Sequence, residues 1–358
     1  MNPHILIRGM FFLLLFFVSA CQPVSISSSP TATSFSPTPE VPTQTSTVAP
    51  TDSLPAPSTA TPTNEPQPIA GEIAYAHVET ISEEIGSRVA GTAEETRTAQ
   101  YIFLELEEMG YTPELQPFSV TVRENLINSA NVIAVKQGTS PLEIIVGAHY
   151  DSTGIGKGAD DNATGVGVLL EVAERISNQN TPYTIRFIFF GAEEAGLQGS
   201  QYYVGRMTEE HIQNTVAMIN LDSVTAGDFA YIYGDEGERG KIRDWALTFA
   251  SNQGLALQTQ AGENSDYPAG TTGDWSDHAP FKHVGIPYAY LEATNWTLGD
   301  KDGYTQVSPE YGENGKIWHT QYDTLEYINA SFPGRIQERL NLFVTLLEAI
   351  LTEADVAQ

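Results

Sequence analysis

Three apolar segments of the sequence are each followed almost at once by acidic or imidazole side chains. The segments are typical of buried β-strands, and the side chains that follow them are His149, Asp151, Glu193, Glu194 and Asp222. Because ligands of open α/β sheets bind outside the carboxyl ends of the strands, we expect these side chains to meet at one sheet edge. Carboxylates crowded there would raise each other's pKa, and a pair of divalent metal ions would relieve their repulsion. The arrangement therefore predicts a metal site.

The spacing of these side chains separates two kinds of role. His149 and Asp151 are two residues apart, so they share a face while the strand persists, and the carboxylate can accept the second N–H of a metal-binding imidazole. We therefore expect Asp151 to support His149 rather than to bind metal. Glu193 and Glu194 are adjacent, so their side chains diverge. One of them can bind metal while the other acts as a base.

Three further candidate residues lie outside these strands. Asp160 and Asp161 stand in the segment 158–162, just before an amphipathic helical pattern, and His319 lies late in the chain. An aspartate pair in such a segment is ordinarily a turn or a helix cap. Its combination with the residues at the strand ends favours a metal site. Mixed imidazole and carboxylate ligands suit zinc, with manganese or cobalt as alternatives.

The elements that would carry these residues alternate between strands and helices. Apolar segments typical of strands buried on both faces occur at 131–136, 144–148, 184–190, 216–221 and 286–291. Helical patterns occur at 73–85, 93–109, 165–177 and 333–352. This alternation predicts an α/β fold, a doubly wound and mostly parallel sheet with helices on both faces, formed as a single catalytic domain by residues 70–358.

The composition excludes several classes of protein. The chain of 358 residues carries 45 Asp and Glu against 17 Lys and Arg, which gives a formal net charge of −28. Such a surface repels phosphates, so we expect no nucleic-acid partner. The single cysteine, Cys21, excludes a disulfide framework and any cysteine-based zinc site.

The first 68 residues have no pattern that would form a core. An apolar segment at 10–18 is too short to span a bilayer but fits a secretory signal, and Val18-Ser19-Ala20-Cys21 resembles a bacterial lipobox. This predicts a signal peptide at 1–20, a lipid anchor on Cys21 and an extracytoplasmic, membrane-anchored lipoprotein. The alternative is an ordinary signal with an incidental cysteine. From 21 to 68 the composition predicts a disordered tether, since residues 22–68 contain 11 prolines and 19 Ser and Thr.

An ordered series of motifs resembles the M28 family of zinc aminopeptidases. The motifs are Arg88-Val89-Ala90-Gly91-Thr92, Ala148-His149-Tyr150-Asp151-Ser152, Gly158-Ala159-Asp160-Asp161-Asn162, Ala192-Glu193-Glu194-Ala195-Gly196, Asn220-Leu221-Asp222, Ser276-Asp277-His278 and His319-Thr320. The resemblance covers nearly all of residues 70–358. It implies a phosphorylase/hydrolase-like α/β fold and an exopeptidase with two zinc ions, which acts on peptides with a free N-terminus.

The resemblance also implies a role for each motif residue. The implied zinc ligands are His149, Asp161 and Asp222 for one ion and Asp161, Glu194 and His319 for the other. Asp161 would thus bridge both ions. Glu193 would be the general base, which takes a proton from the attacking water and later passes it to the leaving amine.

Three more residues are expected near these ligands. Asp277 and His278 would support the site without binding the metal. Trp318 precedes the last implied ligand, where some members of the family have a tyrosine that stabilises the oxyanion. Its indole suits a wall of the substrate pocket, with a packed core tryptophan as the alternative. His77 and His211 occur in polar helical contexts, which predicts surface positions.

Three other functions remain open. A glutaminyl cyclase-like aminoacyltransferase uses the same scaffold with one catalytic zinc, and Trp318 suits that branch equally well. A carboxypeptidase or another amidohydrolase of this scaffold is the second alternative. The third is a surface-anchored binding protein with an inactive site, although every implied ligand is present. Zinc stoichiometry and turnover of amino-acid anilides would separate these functions.

Overall fold

In the part of the chain that the structure describes, the fold is built around one mixed sheet of eight strands. The computed structural model describes residues 68–355. The strands are β1 (Glu114–Val122), β2 (Asn125–Lys136), β3 (Glu143–His149), β4 (Thr184–Phe190), β5 (Thr215–Leu221), β6 (Phe229–Gly234), β7 (Leu257–Gln258) and β8 (Tyr288–Thr294). They lie in the order β1-β2-β4-β3-β5-β8-β6-β7. The central strands β4, β3, β5 and β8 are parallel, as predicted. Antiparallel pairs are β1 with β2, β2 with β4 and β6 with β8, whereas β7 is parallel to β6.

Helices cover both faces of this sheet. The α-helices among the described residues are α1 (Glu72–Glu79), α2 (Ala93–Glu108), α3 (Gly165–Ile176), α4 (Gln198–Val204), α5 (Glu209–Asn214), α6 (Lys241–Gln253), α7 (His278–His283), α8 (Leu325–Ser331) and α9 (Arg335–Glu353). Helices α1, α2, α3, α6 and α9 contribute buried residues to the larger core. Helices α4 and α7 contribute to a smaller core on the opposite face. The predicted α/β fold with helices on both faces is therefore confirmed.

The central strands are mostly apolar because they serve both cores. In β4, Phe187 and Phe189 belong to the larger core, whereas Ile188 and Phe190 belong to the smaller one. Successive side chains of a strand point to opposite faces, so an uninterrupted apolar segment fills both sides. Replacing one of these phenylalanines by alanine would cost about 3–5 kcal/mol of stability. The strands that end at the polar residues are thus firmly held.

The edge strands β1 and β7 and the inner strand β6 were not among the predicted strands. Most of β1 is exposed or half-buried, so it lacks the apolar run that marks the central strands. It pairs with β2 through a two-residue turn at Arg123 and Glu124, whose φ angles are 46° and 72°. Two left-handed residues form the turn that suits the twist of a hairpin. Neither residue is a glycine or an asparagine, so the usual hairpin signal is absent.

The first helix docks through a buried carboxylate. Glu171 of α3 accepts the backbone N–H groups of Gly71 and Ala74, at 3.0 and 2.7 Å, and so caps the start of α1. Gly71 has φ 93°, and a Cβ there would lie 2.6 Å from the backbone nitrogen of Asn341. This position therefore requires glycine. Beyond α1 the predicted helix continues as a π-helical turn, Thr80–Ile85.

Several predictions for the N-terminal region lie outside the described residues. The signal peptide, the lipobox with Cys21 and nearly all of the tether belong to residues 1–67. Across residues 68–355, no helix combines the length and apolar character that crossing a membrane requires.

Candidate active site

The polar residues that follow the central strands meet at one edge of the sheet. His149 is the last residue of β3, Asp222 directly follows β5, and Glu193 and Glu194 follow β4 after a two-residue turn. These strands are adjacent and parallel, so their carboxyl ends lie side by side. Each of these side chains is therefore positioned by a strand that is packed on both faces.

Asp161 and His319 reach the same edge from loops. Asp161 lies in a short π-helical turn immediately before α3. His319 lies in the loop before α8, with a left-handed φ of 55°. Gln306 holds this loop, because its Oε1 accepts the backbone N–H groups of Ile317 and Trp318, each at 2.9 Å. The two loop residues are thus brought to the strand ends by contacts between distant parts of the chain.

Asp161 stands between two sets of metal-ligating side chains. Its Oδ1 lies 3.1 Å from Nε2 of His149, and its Oδ2 lies 3.1 Å from Nε2 of His319. Nε2 of His149 also lies 3.4 Å from Oδ1 of Asp222, and Nε2 of His319 lies 3.1 Å from Oε2 of Glu194. In each set the three potential ligand atoms lie within 4.8 Å of one another. The cluster is therefore a candidate metal centre.

The carboxylates of this cluster raise the pKa values of its two imidazoles, those of His149 and His319. Hydrogen bonds to Asp161 and Glu194 raise the pKa of His319 to about 11. Burial opposes a charged His149, but Glu193 and the other nearby carboxylates raise its pKa well above the ordinary value. Burial and the neighbouring Asp161 raise the pKa of Glu194 to about 7. A divalent cation would supply the positive charge that this excess of carboxylates favours.

Glu193 lies beside the cluster without belonging to either ligand set. Its Oε2 is 4.0 Å from Nε2 of His149, and its side chain, only 9% exposed, lines the cavity in front of the cluster. Burial raises the pKa of Glu193 well above its ordinary range; His149 opposes this rise and Asp277 adds to it. A carboxyl group whose pKa is raised by burial is suited to accept and return a proton.

Asp151 supports the site differently from the sequence-based expectation. Nδ1 of His149 lies 3.1 Å from the backbone carbonyl of Asp151, whereas the Asp151 carboxylate is 3.7 Å away. The carboxylate instead accepts the backbone N–H groups of Glu193 and Glu194, at 2.9 and 3.2 Å. The backbone carbonyl of Asp151 thus orients the His149 imidazole, and the Asp151 carboxylate holds the backbone of Glu193 and Glu194 in place.

The segment that contains the whole cluster matches a known family. Residues 131–344, more than half of the chain, match the model of Peptidase family M28. The chain belongs to peptidase family M28. It is therefore a peptide hydrolase.

This M28 chain is similar to curated proteins over different shares of their lengths. It is 34% identical over 322 residues to the alkaline phosphatase isozyme conversion protein of Escherichia coli, covering 82% of this chain and 93% of that protein. It is 32% identical over 233 residues to the aminopeptidase YwaD of Bacillus subtilis, covering 63% and 45%. The probable lipoprotein aminopeptidase LpqL of Mycobacterium tuberculosis is 27% identical over 233 residues, covering 60% and 45%. The chain thus spans most of the first relative and less than half of the other two.

Solved structures share the fold of the M28 chain. A zinc aminopeptidase of Bacillus subtilis superposes with a TM-score of 0.64 and 20% identity, covering 81% of this chain and 98% of that one. A glutaminyl cyclase of Porphyromonas gingivalis superposes with a TM-score of 0.60 and 22% identity, covering 79% and 98%. At these identities the likeness shows a common α/β scaffold.

A serine that the sequence did not single out orients one of the M28 candidate ligands. Ser276 donates its hydroxyl to Oδ2 of Asp222 at 2.7 Å and accepts an N–H of Asn220 at the same distance. Oδ1 of Asp222 is thereby left to face His149. The sequence could have pointed to Ser276, because this residue begins the motif Ser276-Asp277-His278.

A second group of unpredicted residues fixes the turn that carries Asp161. Asp323 accepts the backbone N–H groups of Asp160 and Asp161, at 2.6 and 3.2 Å. The buried side chain of Asp160 accepts the backbone N–H groups of Thr225 and Ala226 and a side-chain N–H of Gln306. Asp160 is therefore a structural anchor, and its neighbour alone faces the cluster.

The two residues expected to support the site lie outside both ligand sets. Asp277 is buried, and its charge acts on Glu193. His278 is buried between the rings of Tyr288 and Tyr290, whose centroids lie 4.8 and 4.9 Å from its own. Burial lowers the pKa of His278 to about 4, so its imidazole is neutral. His278 contributes through packing.

The prediction of surface positions for two other histidines is wrong for one of them. His77 is 6% exposed, and its Nδ1 lies 2.6 Å from the hydroxyl of Tyr101. His211 is half-buried, and its Nε2 lies 2.8 Å from Oε1 of Glu143. The polar context of His77 in the sequence predicted a surface position, but the side of α1 that carries His77 packs inward.

The cluster opens into a cavity of about 770 Å³. Trp275, Tyr304 and Trp318 form an aromatic side of this cavity, and Glu292 lines its wall. The Trp318 ring is half-buried and meets the edge of Tyr304 with 6.2 Å between centroids. Trp318 is thus a wall of the cavity.

Proposed function

We propose that the protein is an aminopeptidase that holds two zinc ions and removes N-terminal residues from peptides. The observation that carries this proposal is the position of Asp161, whose oxygens lie 3.1 Å from His149 and 3.1 Å from His319. A carboxylate that faces two ligand sets suits a bridge between two ions. Membership of family M28 and the likeness to named aminopeptidases support the same function.

The residues of the cluster fit zinc. Each set offers one imidazole nitrogen and two carboxylate groups, which are donors that zinc accepts. Oε1 of Glu194 is buried and has no hydrogen-bond partner among the described residues, so a cation would satisfy it. The residues that would hold the ions are His149, Asp161 and Asp222 for one and Asp161, Glu194 and His319 for the other.

The chemistry divides between the metal and one glutamate. Zinc, when bound, supplies Lewis acidity that polarises the scissile carbonyl and lowers the pKa of water. Glu193 lies beside His149 in the cavity and accepts a proton from the attacking water. The same carboxyl group then donates that proton to the amine that leaves as the peptide bond breaks. Asp151 fixes the base, because its carboxylate accepts the Glu193 N–H at 2.9 Å.

The charge of the cavity supports exopeptidase action at the N-terminus. Its walls carry Glu193, Glu194, Asp222 and Glu292, among other carboxylates, against one described cationic residue of the Lys and Arg type, Lys316. A free α-ammonium group is attracted to such walls, whereas an internal peptide bond has no such group. A C-terminal carboxylate is poorly matched to the same surface, which disfavours a carboxypeptidase.

A glutaminyl cyclase-like aminoacyltransferase is the second candidate. Trp318 on the cavity wall and the fold shared with a glutaminyl cyclase favour it. That reaction would need one zinc ion, and the presence of two ligand sets supports the peptidase instead.

The test uses the full chain, purified in detergent and loaded with zinc. Aminoacyl anilides, their N-acetylated counterparts and a peptide with an N-terminal glutamine are the substrates. We expect two zinc ions per chain, hydrolysis of the free anilides and no turnover of the acetylated ones. Cyclisation of the glutamine peptide with one zinc per chain would establish the second candidate. Zinc-loaded protein without either activity would refute both.

We also propose that the enzyme is an extracytoplasmic lipoprotein anchored through Cys21. The lipobox-like sequence around this single cysteine supports the proposal, as does the name of the relative LpqL. Cys21→Ser should move the protein from the membrane fraction to the soluble fraction while kcat stays unchanged. A variant that stays in the membrane fraction after a high-salt wash would exclude the lipid anchor.

A further inference from the structure

A fully buried arginine lies behind the candidate metal centre. Arg88 stands in the segment between the π-helical turn and α2, before the family-matched region begins, and its exposure is 0%. Its guanidinium donates to the backbone carbonyls of Gly86, Tyr150, Lys157 and Gly158, at 2.8 to 2.9 Å. No carboxylate is among these hydrogen-bond partners. A buried charge held only by carbonyl dipoles is costly to keep, which points to a specific use.

The carbonyls that Arg88 holds belong to the segments that carry two metal ligands. Tyr150 directly follows His149, and Gly158 lies three residues before Asp161. Arg88 donates through Nε to the first carbonyl and through Nη2 to the second. Because the guanidinium is planar and rigid, its two ends fix the spacing of the segments they hold. One side chain therefore links the end of β3 to the turn before α3.

The backbone of Arg88 strengthens this link. Its N–H donates to Oγ of Ser152 at 2.9 Å, and its carbonyl accepts the Ser152 N–H at 3.2 Å. At Gly158, an added Cβ would lie 2.5 Å from Cβ of Ser152 and 2.8 Å from Nη2 of Arg88. There is therefore no room for a side chain at Gly158 beside Ser152 and Arg88.

Carboxylates in and around the cluster act on the charge of Arg88. Burial lowers its pKa to about 10, against the opposing effect of Asp323, Asp151, Asp161 and Glu194. The group therefore remains a cation at neutral pH. The nearby carboxylates thus help to keep the buried guanidinium charged while its four carbonyl contacts hold it in place.

We propose that Arg88 is a positioning residue of the metal centre: its guanidinium sets the separation of the segments that carry His149 and Asp161. This inference rests on the proposed function in assuming that divalent zinc is the ion bound. It assigns part of the metal centre to the segment before residue 131, where the family match begins.

The test measures zinc affinity by chelator competition on the full chain, with no substrate present. Arg88→Met removes the charge and all the donors, and Arg88→Lys keeps the charge but loses the planar fork. Residues that orient metal ligands typically change affinity by about 10- to 100-fold, so we expect a loss of that size for Arg88→Met and a smaller loss for Arg88→Lys. Because His149 belongs to one ligand set only, one of the two ions should be lost first.

Arg243→Met is the matched control. Arg243 is 8% exposed and donates to the backbone carbonyls of Asp235 and Gly270, neither of which is a candidate ligand or next to one. We expect this variant to lose stability without losing zinc affinity. Circular dichroism and thermal unfolding of the zinc-free chains show which variants are folded.

The outcomes separate this inference from the proposed function. Folded Arg88→Met with the zinc affinity of the unchanged chain would overturn it, as would an equal loss of affinity in Arg243→Met. If Arg88→Met does not fold, Arg88→Lys decides: unchanged affinity overturns the inference, and weaker affinity than the control supports it. An unchanged chain that binds no zinc overturns both proposals. One that binds zinc but hydrolyses no anilide overturns only the proposed function, since the affinities are measured without substrate.

Discussion

Replacing Glu193 by glutamine separates proton transfer from metal binding. The glutamine has nearly the same size, so it fits where the glutamate side chain is 9% exposed, but its amide cannot accept the proton of water. Glu193 is in neither ligand set, and its nearest approach to a ligating nitrogen is 4.0 Å. We therefore expect Glu193→Gln to retain both zinc ions and to lose most of its turnover.

The size of the loss follows from the role of a general base. General acid–base catalysis is worth about 10²- to 10⁴-fold in rate. This range corresponds to about 3–5 kcal/mol of activation free energy. The assay is kcat on an aminoacyl anilide under zinc saturation, with zinc per chain measured on the same sample. KM should change little, because the amide still lines the cavity.

Two further variants make the result interpretable. Glu107→Gln removes a carboxylate from the exposed surface of α2 and should leave kcat and zinc content unchanged. His319→Ala removes one imidazole of a ligand set and should lose one zinc ion. If Glu193→Gln loses zinc as His319→Ala does, Glu193 is a ligand and the base must be Glu194. If it keeps zinc and at least a tenth of the original kcat, no general base acts at this position.

Three other predictions concern the pocket, the N-terminal region and acid stability. Trp318→Phe should keep kcat within about tenfold and raise KM, because the ring wall remains; a 100-fold loss of kcat at normal zinc content would identify the indole N–H as an oxyanion donor. A chain without residues 1–68 should fold and keep the kcat of the full chain, and an insoluble product would contradict this. Burial lowers the pKa of His77 from 6.5 to about 4, so the unfolded chain binds its proton first and stability is lost as pH falls through this range. In urea unfolding of the zinc-free chain, His77→Gln should remove about 2 kcal/mol of the destabilisation between pH 7.5 and 4.5; equal pH slopes would contradict it.

The centre of the fold could be predicted from sequence because it obeys short-range rules. Strands β3, β4 and β5 are buried on both faces, so each is an apolar run that ends where polar residues begin. The same rule places His149 and Asp222 at one edge of the sheet. The edge strand β1 could not be found in this way, because its stability comes from pairing with β2 rather than from a continuous apolar pattern.

The supports of the site were harder to predict because they join distant segments. Arg88 and Tyr150 are 62 residues apart, and Asp323 and Asp160 are 163 apart. A short sequence window contains one partner of each contact, so neither partner looks unusual there. Asp151 was harder to predict even though it lies close to His149 in the sequence. The spacing predicted that Asp151 supports His149, but whether its carboxylate or its backbone carbonyl faces the imidazole depends on the path of the backbone.

The two ligand sets differ in how the fold holds them, and this difference bears on how substrate enters. The side chain of His149 is 1% exposed at the end of a packed strand, whereas that of His319 is 57% exposed on a loop. That loop depends on Gln306, which accepts the N–H groups of Ile317 and Trp318 and donates to Asp160. The Gln306 side chain thereby links the loop that carries His319 to the turn that carries Asp161. His149 and Asp222 are thus held at the ends of packed strands, whereas His319 lies on an exposed loop that lines the cavity, so we predict that substrate enters past His319.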